Sequence, residues 1–164
     1  MVEERAARPR WQLAAETANN LTGKLKSPPV PVYQIAEQSG VDVVFADFGP
    51  HAATVAGFCD FENAKLYVNR DDRSERQQFT IAHELGHWLL HKELFLTDPA
   101  RYPVLPRFAH PDRDNVYEKE ANCFAANLLV PERLLAPIKK APVQDLARAF
   151  GVSPTMMGYR IRNV

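Results

Sequence analysis

The chain has 164 residues, of which 46% are apolar and 24% charged, the proportions of an ordinary globular protein with one real core. Its 20 basic and 20 acidic side chains cancel, which excludes a strong overall field for nucleic acid or anionic membrane. No apolar run approaches the roughly 20 residues of a membrane span.

Residues 9–25 are expected as a first helix, with Trp11, Ala14, Ala15, Ala18 and Leu21 at helical spacing. Gly23 and Ser27-Pro28-Pro29-Val30-Pro31 end it in a stiff link. Val32 to Gln38 follows as a short helix closed by Gly40, then Val41 to Phe45 as a strand. Two more strands are expected over Thr54 to Phe58 and Lys65 to Asn69, turning at Glu62-Asn63-Ala64. Ser74 and Gln77 have the form of a capping box that starts a long helix. On this helix Phe79, Ala82, Gly86, Leu89 and Leu90 are expected as the core stripe. Pro99, Pro103, Pro106 and Pro111 argue against a regular helix or central strand over 97–114. A second helix is expected at about Asn115 to Leu129, stopped by Pro131. Val143 to Ile161 then reads as two short helices broken at Gly151-Val152-Ser153-Pro154.

The long helix carries the chemistry. His83-Glu84-Leu85-Gly86-His87 places two imidazoles at i and i+4, one turn apart on one face, where both can grip one metal ion. Glu84 lies on the rim of that face, within reach of water at the metal. A catalytic zinc site usually takes three protein ligands and keeps one position open. The second helix offers Glu118 and Glu120. Its apolar stripe is Ala121, Phe124, Ala125, Leu128 and Leu129; Glu118 falls at the edge of that stripe, and Glu120 points roughly 160° away from Glu118. Phase therefore favours Glu118 as the third ligand. Asn122, one turn on, can orient a ligating histidine by a hydrogen bond. Zinc would bring the pKa of bound water to about 7, and Glu84 would serve as general base. Tyr102, His110 and Tyr117 are candidate donors to the developing oxyanion. Manganese or iron also suits such a ligand set.

Phe79-Thr-Ile-Ala-His-Glu-Leu-Gly-His with Leu90-His91, followed by Glu118-x-Glu-Ala-Asn-x-Phe-Ala-Ala-x-Leu-Leu-x-Pro131, resembles the ImmA/IrrE metallopeptidases. Tyr67-Val68-Asn69 upstream and Leu146-Ala-x-x-Phe-x-Val152-Ser153 downstream are similar to that family too, so the likeness runs over roughly 30–162. Position 122 is Asn where related zincins often carry Asp. The resemblance implies a gluzincin-like fold with one zinc ion on His83, His87 and Glu118, and Glu84 as base. It also implies an intracellular regulator that cleaves a helix-turn-helix repressor, often encoded next door. The expected fold is α+β, zincin-like, with a small three-stranded, mostly antiparallel sheet packed on the motif helix and a second Glu-bearing helix. One domain over 1–164 is expected: N-terminal helix and link over 1–29, catalytic core over 30–135, helical and helix-turn-helix-like segment over 136–164.

Plainer readings stand beside these. His91 continues the i, i+4 series but lies about 6 Å further along the axis than His87, too far to share its ion, and reads as a helix-end histidine. Cys59 is conceivable as a thiol switch, yet a small half-buried strand residue suits it better, and Cys123 falls on the polar side of its helix. Two cysteines so far apart read as reduced thiols. With Met-Val-Glu-Glu-Arg lacking the apolar segment of a secretion signal, a cytoplasmic location is expected. Val32 to Val41 and Val143 to Arg162 look like pieces of helix-turn-helix, with Arg160 and Arg162 able to meet phosphates. Ser153 to Gly158 holds no basic or amide side chain for base edges, so direct DNA binding is not expected. The alternatives of another class are a regulatory or DNA-binding module with structural zinc, and a toxin-like component of a two-gene system. An intact Glu84 argues against a purely structural metal.

Overall fold

The computed structural model describes residues 8–98 and 115–164, and the backbone of Arg107–Phe108 between them. Helix α1 (Trp11–Thr22) and helix α2 (Val32–Gln38) precede strand β1 (Asp42–Ala46). Strands β2 (Val55–Asp60) and β3 (Lys65–Asn69) lead into the long helix α3 (Ser74–Thr97). A two-residue strand β4 (Arg107–Phe108) precedes helix α4 (Val116–Leu129). Helices α5 (Glu132–Leu135), α6 (Val143–Phe150) and α7 (Pro154–Arg162) follow.

The sheet order is β1-β3-β2-β4. β1 runs parallel to β3, while β2 is antiparallel to both β3 and β4. The three expected strands lie in one sheet with one parallel and one antiparallel pairing, and β4 adds a second antiparallel pairing, so that the whole sheet is mostly antiparallel. β4 joins it at an edge, the place where a short strand in a proline-rich stretch is tolerated. In the β2–β3 turn Asp60 accepts from Asn63 N at 3.1 Å, and Ala64 adopts a φ of 54°.

Gly57 and Cys59 of β2 pair with Val68 and Leu66 of β3, and all four are buried. Their opposite face carries Phe58 stacked on Tyr67 at 4.7 Å. A β-carbon at Gly57 would lie 2.3 Å from the Tyr67 carbonyl oxygen and 2.6 Å from Thr80 Cγ2. Glycine there lets α3 lie directly on the strands. At the end of β3, buried Asn69 donates to the carbonyls of Ala52 and Val55 and accepts from Asp71 N. Gln77 Nε2 reaches back to the carbonyls of Asn69 and Arg70. These bonds fix the angle at which α3 leaves the sheet.

That use of Gln77 overturns the capping box. Arg73 is the extended N-cap of α3 and makes no side-chain cap, so Ser74 already lies inside the helix. The core stripe also differs from expectation. Leu89 is 36% exposed and Phe79 and Leu90 are only partly buried, whereas Ile81, Leu85, Trp88 and Phe95 are buried. Every residue from Thr80 to Gly86 is buried. α3 packs on the sheet, on α2 and on α4 at once, so it has no single wet face for periodicity to mark.

One apolar cluster extends from Ala14 and Ala18 of α1 through the sheet, α3 and α4 to Leu146, Phe150 and Met157 of α6 and α7. Within it Phe61 stacks on Phe95 and Trp88, and Trp88 Nε1 donates to the Ser39 carbonyl at 3.1 Å. α6 ends at Gly151 with φ 69°, and Ser153 caps α7 by accepting from Met156 N. Arg160 does not face phosphates. It is buried, donating from Nε to the Val130 carbonyl at 2.9 Å and from Nη2 to Asn127 Oδ1 at 3.1 Å, and so clips α7 to the end of α4. No helix among the described residues is long and apolar enough to cross a membrane.

Candidate metal centre

The site forms where α3 crosses α4. A β-carbon at Gly86 would lie 2.9 Å from Phe124 Cδ1 and 3.3 Å from Ala121 Cα, so the bare glycine allows the two helices to touch backbone to side chain. His83 and His87 flank that contact on α3, and Glu118 lies one turn before Ala121 on α4. Asn115 caps α4, accepting from Tyr117 N at 2.9 Å and Glu118 N at 3.2 Å. Glu118 therefore sits in the first turn, where the positive end of the helix dipole favours a carboxylate.

His83 Nε2 lies 3.0 Å from Glu118 Oε2, and His87 Nε2 lies 2.9 Å from Glu118 Oε1. The candidate ligand atoms of the three residues all fall within 4.8 Å of one another. Bonds of about 2.0–2.1 Å in a tetrahedral shell put neighbouring ligand atoms about 3.3 Å apart, so little movement is needed to seat an ion. The donor set also leaves a gap that an ion would fill. His83 Nε2 and Glu118 Oε2 are buried and, although 3.0 Å apart, share no well-directed hydrogen bond. Buried polar atoms without such partners are uncommon, and a shared cation would satisfy both.

Around these three, each imidazole has an outer partner. Asn122 Oδ1 is 2.8 Å from His83 Nδ1, and His91 Nδ1 is 2.8 Å from His87 Nδ1. His91 Nε2 lies 2.9 Å from Glu120 Oε1. Glu120 in turn accepts from Arg10: backbone N at 2.7 Å, Nε at 2.9 Å and Nη2 at 2.9 Å. Two expectations change here. His91 is not a helix-end residue, since α3 continues to Thr97 and His91 is buried. Glu120 is not one of the three candidate ligands, but it lies buried in an ion pair with Arg10. Helical phase set Glu120 apart from the candidate ligands and could not tell that it pairs with Arg10. Arg10 carried no local signal at all, because its role depends on a partner 110 residues away.

The electrostatics follow from these contacts. Burial alone would raise the Glu118 pKa, but His83 and His87 outweigh it and hold the carboxyl far below the usual carboxylate range. Burial would lower the His87 pKa, yet Glu118 and Glu84 draw it above the usual imidazole value. Burial, then the neighbouring His87, lowers the His91 pKa to about 4 against the pull of Glu120. Burial opposes ionisation of Glu120, but Arg10 and His91 hold its pKa at about 2. Glu84 is 2% exposed. Its charge also reaches Cys59, where burial first and Glu84 second push the thiol well above its ordinary value. Cys59 is fully protonated at neutral pH, unsuited to a thiolate switch. Cys123 Sγ lies 3.7 Å from the Trp11 carbonyl oxygen. The Tyr117 ring packs edge-on against His91 at 5.1 Å. Tyr102 and His110 lie outside the described residues.

An α+β fold whose HExxH helix brings two histidines onto a glutamate of a second helix defines a zincin-like metal-binding domain. Residues 36–162 match the peptidase M78 family, described as the IrrE N-terminal-like domain, and the chain belongs to that family. It is 32% identical over 130 residues to the radiation response metalloprotease IrrE of Deinococcus deserti, covering 74% of this chain and 44% of that protein. It is 23% identical over 137 residues to the metallopeptidase ImmA of Bacillus subtilis, covering 81% of this chain and 76% of that one. The solved structure of a Mycobacterium tuberculosis transcriptional regulator superposes with a TM-score of 0.63 at 18% identity, covering 91% of this chain and 46% of that chain. That likeness establishes the fold. The chain spans less than half the length of the Deinococcus relative.

Proposed function

We propose that this chain is a zinc-dependent endopeptidase of the cytoplasm that hydrolyses a peptide bond in a regulatory protein, a helix-turn-helix repressor. The observation that carries the reading is the convergence of His83, His87 and Glu118 beside a buried Glu84 that is not one of the three. Two histidines and one carboxylate form the ligand set of catalytic rather than structural zinc, and a structural site needs no neighbouring base. Zinc on these ligands would supply Lewis acidity that polarises the scissile carbonyl and acidifies water. Glu84 takes the proton from water as the new C–O bond forms. It delivers that proton to the amine as the C–N bond breaks, so the two halves of the reaction balance on one carboxylate. Asn122 orients His83 by accepting from its Nδ1, leaving Nε2 for the ion. Among the described strands β2 is paired on both sides, so β1 and β4 are the edges to which an extended substrate would add.

The family resemblance and the names of the relatives support a regulatory substrate and a role in stress response. The buried, hydrogen-bonded Arg160 speaks against a DNA-reading role for α6 and α7. The test mixes the purified protein with the product of the adjacent gene, with and without a chelator. One defined cut that the chelator abolishes is the expected result. An intact repressor in the zinc-loaded reaction would overturn the choice of substrate.

A further inference from the structure

The bonds beyond the metal ligands form a directed chain, and their donors and acceptors can be assigned by valence alone. His87 can bind an ion through Nε2 only if that nitrogen carries no proton, so its Nδ1 must carry one and donate. The partner of Nδ1 is His91 Nδ1 at 2.8 Å, which must then accept. His91 therefore carries its own proton on Nε2 and donates to Glu120 Oε1 at 2.9 Å. Glu120 must be an ionised acceptor, and it takes three donors from Arg10 in addition. His91 and Glu120 are 5% and 1% exposed, so water cannot replace either partner cheaply. Among the described residues, no other assignment satisfies every one of these atoms while leaving His87 Nε2 available.

We infer that His91, Glu120 and Arg10 form a positioning relay that fixes the tautomer and ring orientation of His87, with the segment preceding α1 supplying its outer end. The inference rests on the proposed metal centre and goes beyond it, since none of the three residues is among the candidate ligands. A carboxylate behind a ligating imidazole raises its basicity and narrows its rotation. Here a second imidazole is interposed between the two. Arg10 also donates from Nη2 to the Leu90 carbonyl at 3.4 Å, which ties the same guanidinium to α3. α1 is thereby joined to the site by polar bonds as well as by its apolar face.

Two measurements test the relay. In the zinc-loaded wild-type chain, long-range 1H–15N correlations report the tautomer of each histidine. His91 should be protonated at Nε2 and unprotonated at Nδ1, and His87 protonated at Nδ1. Zinc affinity, read by competition with a chromogenic chelator, should weaken about ten- to hundredfold in His91→Leu and about three- to tenfold in Glu120→Gln. The double variant should bind no more weakly than His91→Leu alone, because cutting the chain once disconnects everything beyond the cut. A His91 protonated at Nδ1, affinities within twofold of wild type, or losses that multiply in the double variant would overturn the relay and leave the peptidase reading intact. A wild-type chain that binds no zinc would overturn both.

Discussion

At the scale of single residues, the role proposed for Glu84 separates binding from chemistry. Glu84→Gln keeps volume and hydrogen bonding but removes the base, so metal content should stay at one ion per chain while cleavage falls about 10²- to 10⁴-fold. An unchanged cleavage rate at full metal content would remove Glu84 from the reaction. Glu118→Gln should do the reverse and empty the site, because a neutral amide is a poor partner for zinc beside two imidazoles. Metal analysis after dialysis distinguishes the two variants. Both residues were legible before folding was considered: the i, i+4 spacing of His83 and His87 requires a helix, and helical phase separates Glu118 from Glu120. The outer residues were not. His91 looks from the sequence like any histidine one turn further on, and its worth depends on a carboxylate delivered by another helix.

At the scale of elements, two glycines control how closely α3 approaches its neighbours. Gly57→Ala would press a β-carbon to 2.3 Å of the Tyr67 backbone oxygen, an overlap only a strand shift can relieve. Gly86→Ala meets the Phe124 ring at 2.9 Å, and there the gain in helix propensity offsets part of the strain. Chemical denaturation should show a loss of about 2–3 kcal/mol for Gly57→Ala and about 1 kcal/mol for Gly86→Ala. Equal losses would mean that the sheet can yield as readily as a side chain. Since Gly86 lies between His83 and His87, its variant should also weaken metal binding, which the Gly57 variant should do less. Arg160→Met keeps the stem but orphans the Val130 carbonyl, and should cost about 1–3 kcal/mol. The sequence suggested the elements well, from Lys65–Asn69 through α4. It misassigned the start and the buried face of α3. Capping and amphipathicity are local signals, whereas Gln77 is recruited by β3 and α3 is enclosed on several sides.

At the scale of the whole molecule, the ion should act as a staple between α3 and α4. A ligand at a thousandfold excess over its dissociation constant stabilises by about 4 kcal/mol, which for a chain of this size corresponds to a Tm shift of about 8–16 °C. Scanning calorimetry with and without chelator should show that shift, and its absence would mean that the helices hold the site open without help. The molecule carries 20 basic and 20 acidic side chains, and one of its two helix-turn-helix-like arginines is buried. Gel shifts at physiological salt should accordingly detect no tight, sequence-specific complex with DNA.

The sequence by itself determined the α+β class, the helix bearing His83, Glu84 and His87, and the second helix with Glu118 on its inner edge. Each of these is a matter of spacing along one element, where periodicity of 3.6 or 2 residues translates directly into which side chains share a face. Tertiary structure alone decided the order of the strands, the close crossing at Gly86, and the path from His87 through His91 and Glu120 to Arg10. Those depend on contacts between residues far apart in the chain, which no local pattern encodes. The HExxH helix announces that a metal can be held, and the fold decides how firmly its histidines are aimed.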